Sequence, residues 1–364
     1  MKSLTMLSVA VMAAALLLAS LVFPLLIKAG RQWGFTDKPD ARKKHRNPVP
    51  VLGGLGLLIT LVLTSAVVPG LKTFASQFPV VAIGLVLISL TGVLDDKMNI
   101  AARTRLLIEL SCALAVACSG IRIYSLHGFM GIENLPVVVQ YLLTVVVISG
   151  ITNAFNLLDG IDGLAGSIGL INCALLAVIA FVLNQYLWGW LMLALCGGLL
   201  VFLRYNWQPA SIFMGDGGSL LLGFVMSITA IQLLHASSEP HTPLLHHASL
   251  AVVFSACFMI PVVDTLRVFV QRVRKGKSPF SADRTHLHHK LIAHFLRHRD
   301  ASRKIALLHA VLIVSSMLLY QLFNISVLIL LQVSAVIGYT LILDFAQYYS
   351  RWYRRIKRME AGYE

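Results

Sequence analysis

Asn153-Ala-Phe-Asn156-Leu-Leu-Asp159-Gly-Ile-Asp162-Gly163 places a polar residue at every third position inside a run that is otherwise apolar. On a continuous helix each three-residue step turns about 300°, so Asn153, Asn156, Asp159 and Asp162 are expected to share about half of one helix surface. Gly160 and Gly163 are expected to loosen the helix and let backbone amides approach a ligand. A capped helix end accounts for one Asp whose side chain bonds nearby amides, but not for four polar residues in register. Ionisable groups are expensive in a membrane segment, and those present there mark functional sites.

The surroundings of this stretch are those of a membrane protein. Of 364 residues, 57% are hydrophobic and 13% charged, and the mean hydropathy is +0.79, far from a soluble globular composition. Apolar runs near the length that crosses a bilayer occur at 4 to 27, 51 to 69, 78 to 95, 104 to 122, 136 to 155, 163 to 184, 187 to 203, 218 to 236, 248 to 269, 304 to 322 and 325 to 345. The expected fold is therefore an all-α polytopic membrane protein of about eleven transmembrane helices. The first run is long, lacks a small-residue cleavage site and precedes a basic loop, so it is read as a span and not as a signal peptide.

A net charge of +14 would point to nucleic acid if the basic residues formed one patch. They do not. With the N-terminus periplasmic, every Lys and Arg except Lys2, Lys72 and Arg122 falls on an inner segment. That is the positive-inside pattern, and it puts the opening stretch and the C-terminus on the cytoplasmic side. The domain expected is a single integral-membrane unit over 1–345. Its cytoplasmic loops 28–50, 96–103, 153–163, 204–217 and 270–303 form the site, and a basic cytoplasmic tail follows over 346–364. Membrane lipids are its surroundings, with some of the cations set near anionic head groups. The five cysteines lie inside apolar runs without Cys-x-x-Cys spacing and read as packing residues.

The inner loops carry the chemistry. Asp95-Asp96 end the third run; adjacent carboxylates repel, which suits a divalent cation or a base of raised pKa. Arg204-Tyr-Asn206-Trp-Gln-Pro209 leads into Phe213-Met-Gly-Asp216-Gly-Gly-Ser219. Its glycine-rich turn lacks the Gly-Lys-Ser/Thr ending of a Walker loop, so Asp216 reads as a metal ligand. Phe213 is either a base-stacking ring or a core aromatic. Asp264 and Arg267 lie three apart near the inner end of the ninth run, which Pro261 is expected to kink. The loop beyond it, through Ser278-Pro-Phe-Ser-Ala-Asp283-Arg284-Thr-His286-Leu-His288-His289, has the cations for phosphate recognition. Its histidines could also suit zinc, but no Cys accompanies them. Carboxylates, amide-rich turns and cations converging at one membrane face describe phosphoryl transfer between a lipid phosphate and a soluble partner.

Together, Asp95-Asp96, Asn153 to Gly163, Phe213 to Ser219 and Ser278 to His289, in this order, resemble the polyprenyl-phosphate N-acetylhexosamine-1-phosphate transferases. The Asp37-Lys-Pro39 start and the His-x-His-His loop look most like the bacterial undecaprenyl-phosphate N-acetylglucosamine-1-phosphate branch, with Leu287 where that branch usually has Ile. The resemblance runs from about Asp37 to His289. It implies transfer of a sugar 1-phosphate from a UDP-N-acetylhexosamine to undecaprenyl phosphate, with release of UMP. The resemblance also implies Mg²⁺ or Mn²⁺ as cofactor, a lipid-linked surface glycan as the downstream product, the bacterial inner membrane as location, and a homodimer as in the broader family. Carried over residue by residue, Asp96 and Asp216 are metal ligands. Asp95, Asp96, Asp159 and Asp162 are catalytic. Asn153, Asn156, Asn206, Phe213, Arg267, Asp283, Arg284, His286, His288 and His289 bind substrate. The competing classes are the same reaction with another UDP-amino sugar, and a cation-coupled transporter. A transporter would carry its acids near the membrane midplane at a repeat interface, and the sequence has no internal repeat.

Overall fold

The computed structural model describes residues 2–37, 48–238, 247–278, 285–293 and 297–360. The chain forms α1 (Lys2–Gln32), β1 (Thr36–Asp37), β2 (Val49–Pro50), α2 (Gly53–Val67), α3 (Pro69–Gln77), α4 (Pro79–Met98) and α5 (Ala102–Cys118). It continues with β3 (Ser125–Phe129), β4 (Ile132–Asn134), α6 (Val137–Leu158), α7 (Leu164–Val182), α8 (Tyr186–Asn206) and α9 (Gly215–Ser237). The last elements are α10 (His247–Arg274), α11 (Leu287–Ala293), α12 (His298–Leu319) and α13 (Ile325–Glu360). The strands form two small antiparallel pairs, β1 with β2 and β3 with β4, which the apolar periodicity gave no reason to expect.

Nine described helices are long and apolar enough to cross a membrane, or ten if the bent pair α2/α3 counts as one broken span. This differs from the eleven expected in two places. Val68 is extended ahead of Pro69, as the residue before a proline prefers, and there the chain turns by 106°. The run at 51 to 69 thus becomes a 15-residue helix with a short partner. The run at 104 to 122 becomes α5, 17 residues with Arg103, Arg105 and Glu109 in its first half. α10 continues through Pro261, and the basic tail is not separate, because α13 carries it helically to Glu360.

α9 is the hub. It is the most enclosed of the long helices, 89% buried over its apolar window, and it packs against α2, α4, α6, α7 and α10. Its N-terminal turn is brought in by small residues, the device that lets helix backbones meet where no hydrophobic drive separates helix from lipid. A Cβ added to Gly54 would lie 1.9 Å from Gly218 N, and one on Gly92 would lie 2.4 Å from Gly217 N. These contacts fix Asp216, at the start of α9, beside the last turn of α4, which carries Asp95 and Asp96. Backbone bonds complete the seam: Gly53 N donates to Phe213 O and Gly54 N to Met214 O, at 2.9 and 2.8 Å.

Candidate active site

At the meeting of α4, α5, α6 and α9, one guanidinium gathers the acids. Arg105 Nη1 donates to Asp95 Oδ2 and to Asp216 Oδ2, both at 2.7 Å. Asn156 donates to Asp216 Oδ1 at 2.9 Å and to Ser219 Oγ at 3.0 Å. Asp96 faces the other way. Its carboxylate accepts the Asp216 and Gly217 amides at 3.1 and 3.5 Å, where a negative charge complements the free amides of a helix N-terminus. The metal pair expected from the sequence was Asp96 with Asp216; the carboxylates that converge on one cation are Asp95 and Asp216.

Two further participants come from α5. The sequence offers Arg105, with Lys97 and Arg103, as a partial counter-charge to Asp95-Asp96, and gives Glu109 no role. Glu109 lies 3.5 Å from Arg105 Nε and receives a hydrogen bond from Asn153. An acid four residues after an arginine, buried in an apolar run, was the available signal.

The opening stretch does not form one continuous face. α6 ends at Leu158, and Asp159 is its C-cap. Asn153 and Asn156 therefore turn toward α5 and α9, while Asp162 leaves the helix and sits 3.6 Å from His298 Nδ1, with its carbonyl accepting Ser302 Oγ at 2.7 Å. Asp159 is half-buried with no side-chain hydrogen bond among the described residues. Burial, then the carboxylates of Asp216, Asp96 and Asp162, push it up to about 8.

The two glycines here make close protein contacts. A Cβ on Gly160 would fall 2.2 Å from His288 Nε2. Gly163, at φ +77°, starts α7 and donates its amide to Asn206 Oδ1 at 2.8 Å. Asn206, expected beside the nucleotide, is 5% exposed and spends its other end on Ile212 O at 2.8 Å. It is a strut tying the α6–α7 turn to the α8–α9 loop. Phe213 is half-buried at the seam between that loop and β2, its amide bonded to Pro50 O.

The histidine segment is pinned from below. Asp264 accepts Arg267 Nη2 at 2.7 Å and the Leu287 amide at 3.1 Å, and its Oδ2 lies 2.8 Å from His286 Nδ1. Arg267 Nη2 also donates to Thr285 O at 2.6 Å. Lys290 reaches Asp344 on α13 at 2.5 Å. His286 and His288 were expected beside a diphosphate, yet both are buried, their rings parallel within 4°. Burial, then His289 and His286, hold His288 down at about 3. His289 is the one of the three with partial exposure. Asp283 and Arg284 lie outside the described residues.

Among the described residues no three His, Cys, Asp or Glu side chains are grouped to hold a metal by themselves. Asp95 and Asp216, each within 2.7 Å of the same nitrogen, supply two converging carboxylates. That is a fitting donor set for Mg²⁺, which takes one or two carboxylates and completes its shell with water and substrate phosphates. A cavity of about 240 Å³ lined by Gln77, Phe78, Ser119 and Gln232 lies at the opposite ends of α4 and α9 and shares none of these groups.

The glycosyl transferase family 4 profile matches residues 78–234, which span Asp95, Asp96, Arg105, Asn156, Asp159 and Asp216. The chain is 31% identical over 314 residues to a probable undecaprenyl-phosphate N-acetylglucosaminyl 1-phosphate transferase of Bacillus subtilis, covering 84% of this chain and 83% of that one. It is 28% identical to the undecaprenyl-phosphate alpha-N-acetylglucosaminyl 1-phosphate transferase of Escherichia coli K12 over 78% and 76%. Against the decaprenyl-phosphate N-acetylglucosaminephosphotransferase of Mycolicibacterium smegmatis it is 29% identical over 74% and 71%. With the acids of α4, α5 and α9 drawn onto one cation inside the matched region, this chain belongs to glycosyl transferase family 4.

Proposed function

We propose that the protein transfers N-acetylglucosamine 1-phosphate from its UDP-sugar to undecaprenyl phosphate, releasing UMP, at the cytoplasmic face of the bacterial inner membrane. The observation that carries this reading is the convergence of Asp95 and Asp216 at the ends of apolar helices, in a chain 31% identical to a relative named for the reaction. A phosphate oxygen of the lipid attacks the sugar-linked phosphorus, the bond to the UMP oxygen breaks, and the electron pair leaves with UMP. Asp95 and Asp216 would hold Mg²⁺ or Mn²⁺, which when bound neutralises phosphate charge and stabilises the leaving group.

The chain's own groups then divide the work. Asn156 orients Asp216, and the Asp96 carboxylate locks the first turn of α9 so that Asp216 keeps its place. Asp95 positions or deprotonates the attacking phosphate. Asp159, half-buried among carboxylates, organises the nucleotide side, and the pinned 285–293 segment walls it from below. In the covalent alternative Asp159 would be the nucleophile. UMP exchange into UDP-sugar without lipid would then be seen, and its absence is expected.

The test is purified protein with undecaprenyl phosphate, a panel of UDP-sugars and Mg²⁺. Asp216→Asn, at normal protein level, is expected to lose the lipid product by about a hundredfold or more, the scale of removing a preorganised electrostatic group. Undiminished product from Asp216→Asn would refute the metal assignment. A cation-coupled transporter would instead be expected to move a solute with no UMP release.

A further inference from the structure

Arg105 stands among three carboxylates, and one of them is incompletely served. Glu109 is 1% exposed. One of its oxygens accepts from Asn153, while Oε1 is buried without a hydrogen bond, 3.5 Å from Arg105 Nε. A buried carboxylate oxygen left without a donor is costly. A shift of about 1 Å by the guanidinium would bring Nε to charge-assisted hydrogen-bond distance of that oxygen. Nη1 meanwhile sits between Asp95 Oδ2 and Asp216 Oδ2, the same two groups that fit a divalent cation. Two cations a few ångströms apart repel, so a metal ligated by both carboxylates and a guanidinium bridging them compete for one place.

We propose that Arg105 is a built-in competitor for the divalent cation, and that Glu109 is the positioning residue that receives it. A cation entering between Asp95 and Asp216 drives the guanidinium onto Glu109 Oε1. Leaving Asp95 and Asp216 gives up two charge-assisted hydrogen bonds, and Glu109 returns one or two. The exchange therefore weakens metal affinity without blocking it. One consequence is selectivity in time: the carboxylates hold a metal firmly only when substrate phosphates add their own oxygens. This inference rests on the metal reading above.

Mn²⁺ titration of the purified full-length protein without substrate, followed by electron paramagnetic resonance, tests it. Arg105→Gln is expected to lower the Mn²⁺ Kd by about tenfold or more, and Glu109→Gln to raise it by about tenfold, since each tenfold corresponds to a single hydrogen-bond-sized change. Opposite signs separate competition from structural damage, which would weaken binding in both variants. Glu109→Gln alone decides the matter if Arg105→Gln does not fold. An unchanged or lowered Kd in Glu109→Gln, or a raised Kd in Arg105→Gln, overturns the proposal. Asp216→Asn distinguishes the two levels. If it abolishes Mn²⁺ binding while Arg105→Gln and Glu109→Gln leave the Kd unchanged, only the competition fails. If it leaves Mn²⁺ binding intact, the metal pair fails and the competition with it.

Discussion

Replacing Asp264 by Asn should release the histidine segment while leaving the helical body intact. Asp264 is 4% exposed, and its carboxylate takes Arg267 Nη2 at 2.7 Å, the Leu287 amide at 3.1 Å and His286 Nδ1 at 2.8 Å. Asn keeps the shape but makes the bonds to Arg267 and His286 lose their ionised acceptor, and its amide nitrogen now faces the His286 ring. Each charge-assisted bond so weakened costs about 1 kcal/mol, about 2 kcal/mol for the pair. That is about a 30-fold increase in the opening equilibrium of 285–293. Asp264→Ala, which removes the anionic partner of Arg267 and strands the Leu287 amide, should cost about 3–5 kcal/mol. Hydrogen exchange read by mass spectrometry should show amides of 287–293 accelerated in the order Ala, Asn, wild type, with α7 and α9 unchanged. Equal exchange in all three proteins, or acceleration spread evenly along the chain, would refute the view that Asp264 is the anchor of this segment.

Three other changes probe the frame of the site. Gly54→Ala puts a methyl 1.9 Å from the backbone nitrogen of Gly218, which cannot rotate away; overpacking of about 3 kcal/mol or more is expected, read as a lower melting temperature and lost product. Asn206→Ala strands the Gly163 amide and the Ile212 carbonyl, a cost of about 2–4 kcal/mol, and the folded fraction should keep the wild-type KM for UDP-sugar, whereas a raised KM would restore Asn206 to the nucleotide. His288 binds its proton near pH 6.5 when unfolded and only near about 3 when folded, so the unfolded state holds more protons between those values. Stability is full above pH 6.5 and falls by about 1.4 kcal/mol per unit as pH drops toward 3; melting curves from pH 7 to 4 should show this slope, and His288→Gln should flatten it.

Most of the helices were legible because each is written locally, as an apolar run of crossing length. The acids were legible because a carboxylate in such a run demands a reason. What failed to show was set by contacts distant in sequence. Arg105 looked like one more inner cation, since nothing local says that it meets Asp216, 111 positions away. The three-residue spacing of the opening stretch assumed one helix throughout, but α6 stops at Leu158, and Asp162 then turns to His298 instead of to its predecessors. Asn206 and His288 carry polar groups that suit a ligand equally well, and only packing shows them bonded to Gly163 and pressed on Gly160. A polar residue type states that a partner is needed and leaves the partner unnamed.

The charge balance of the site explains why its parts come together. The chain carries +14 overall, yet Asp95, Glu109 and Asp216 share Arg105 as their cation, and Asp96 and Asp159 lie close enough to Asp216 to add to its negative charge. Such a cluster repels a lipid phosphate and a diphosphate alike. In the proposed reaction neither anionic substrate gains by entering until positive charge is added, and the added charge is held best when phosphate oxygens arrive with it. In the proposed reaction the acids would therefore do more than ligate: they would make substrate and metal binding mutually dependent, and the basic loops would set the approach without deciding the chemistry. By linkage, UDP-sugar should tighten Mn²⁺ by the same factor that Mn²⁺ tightens UDP-sugar. Removing Arg105 should reduce that coupling, because the metal would already bind well alone.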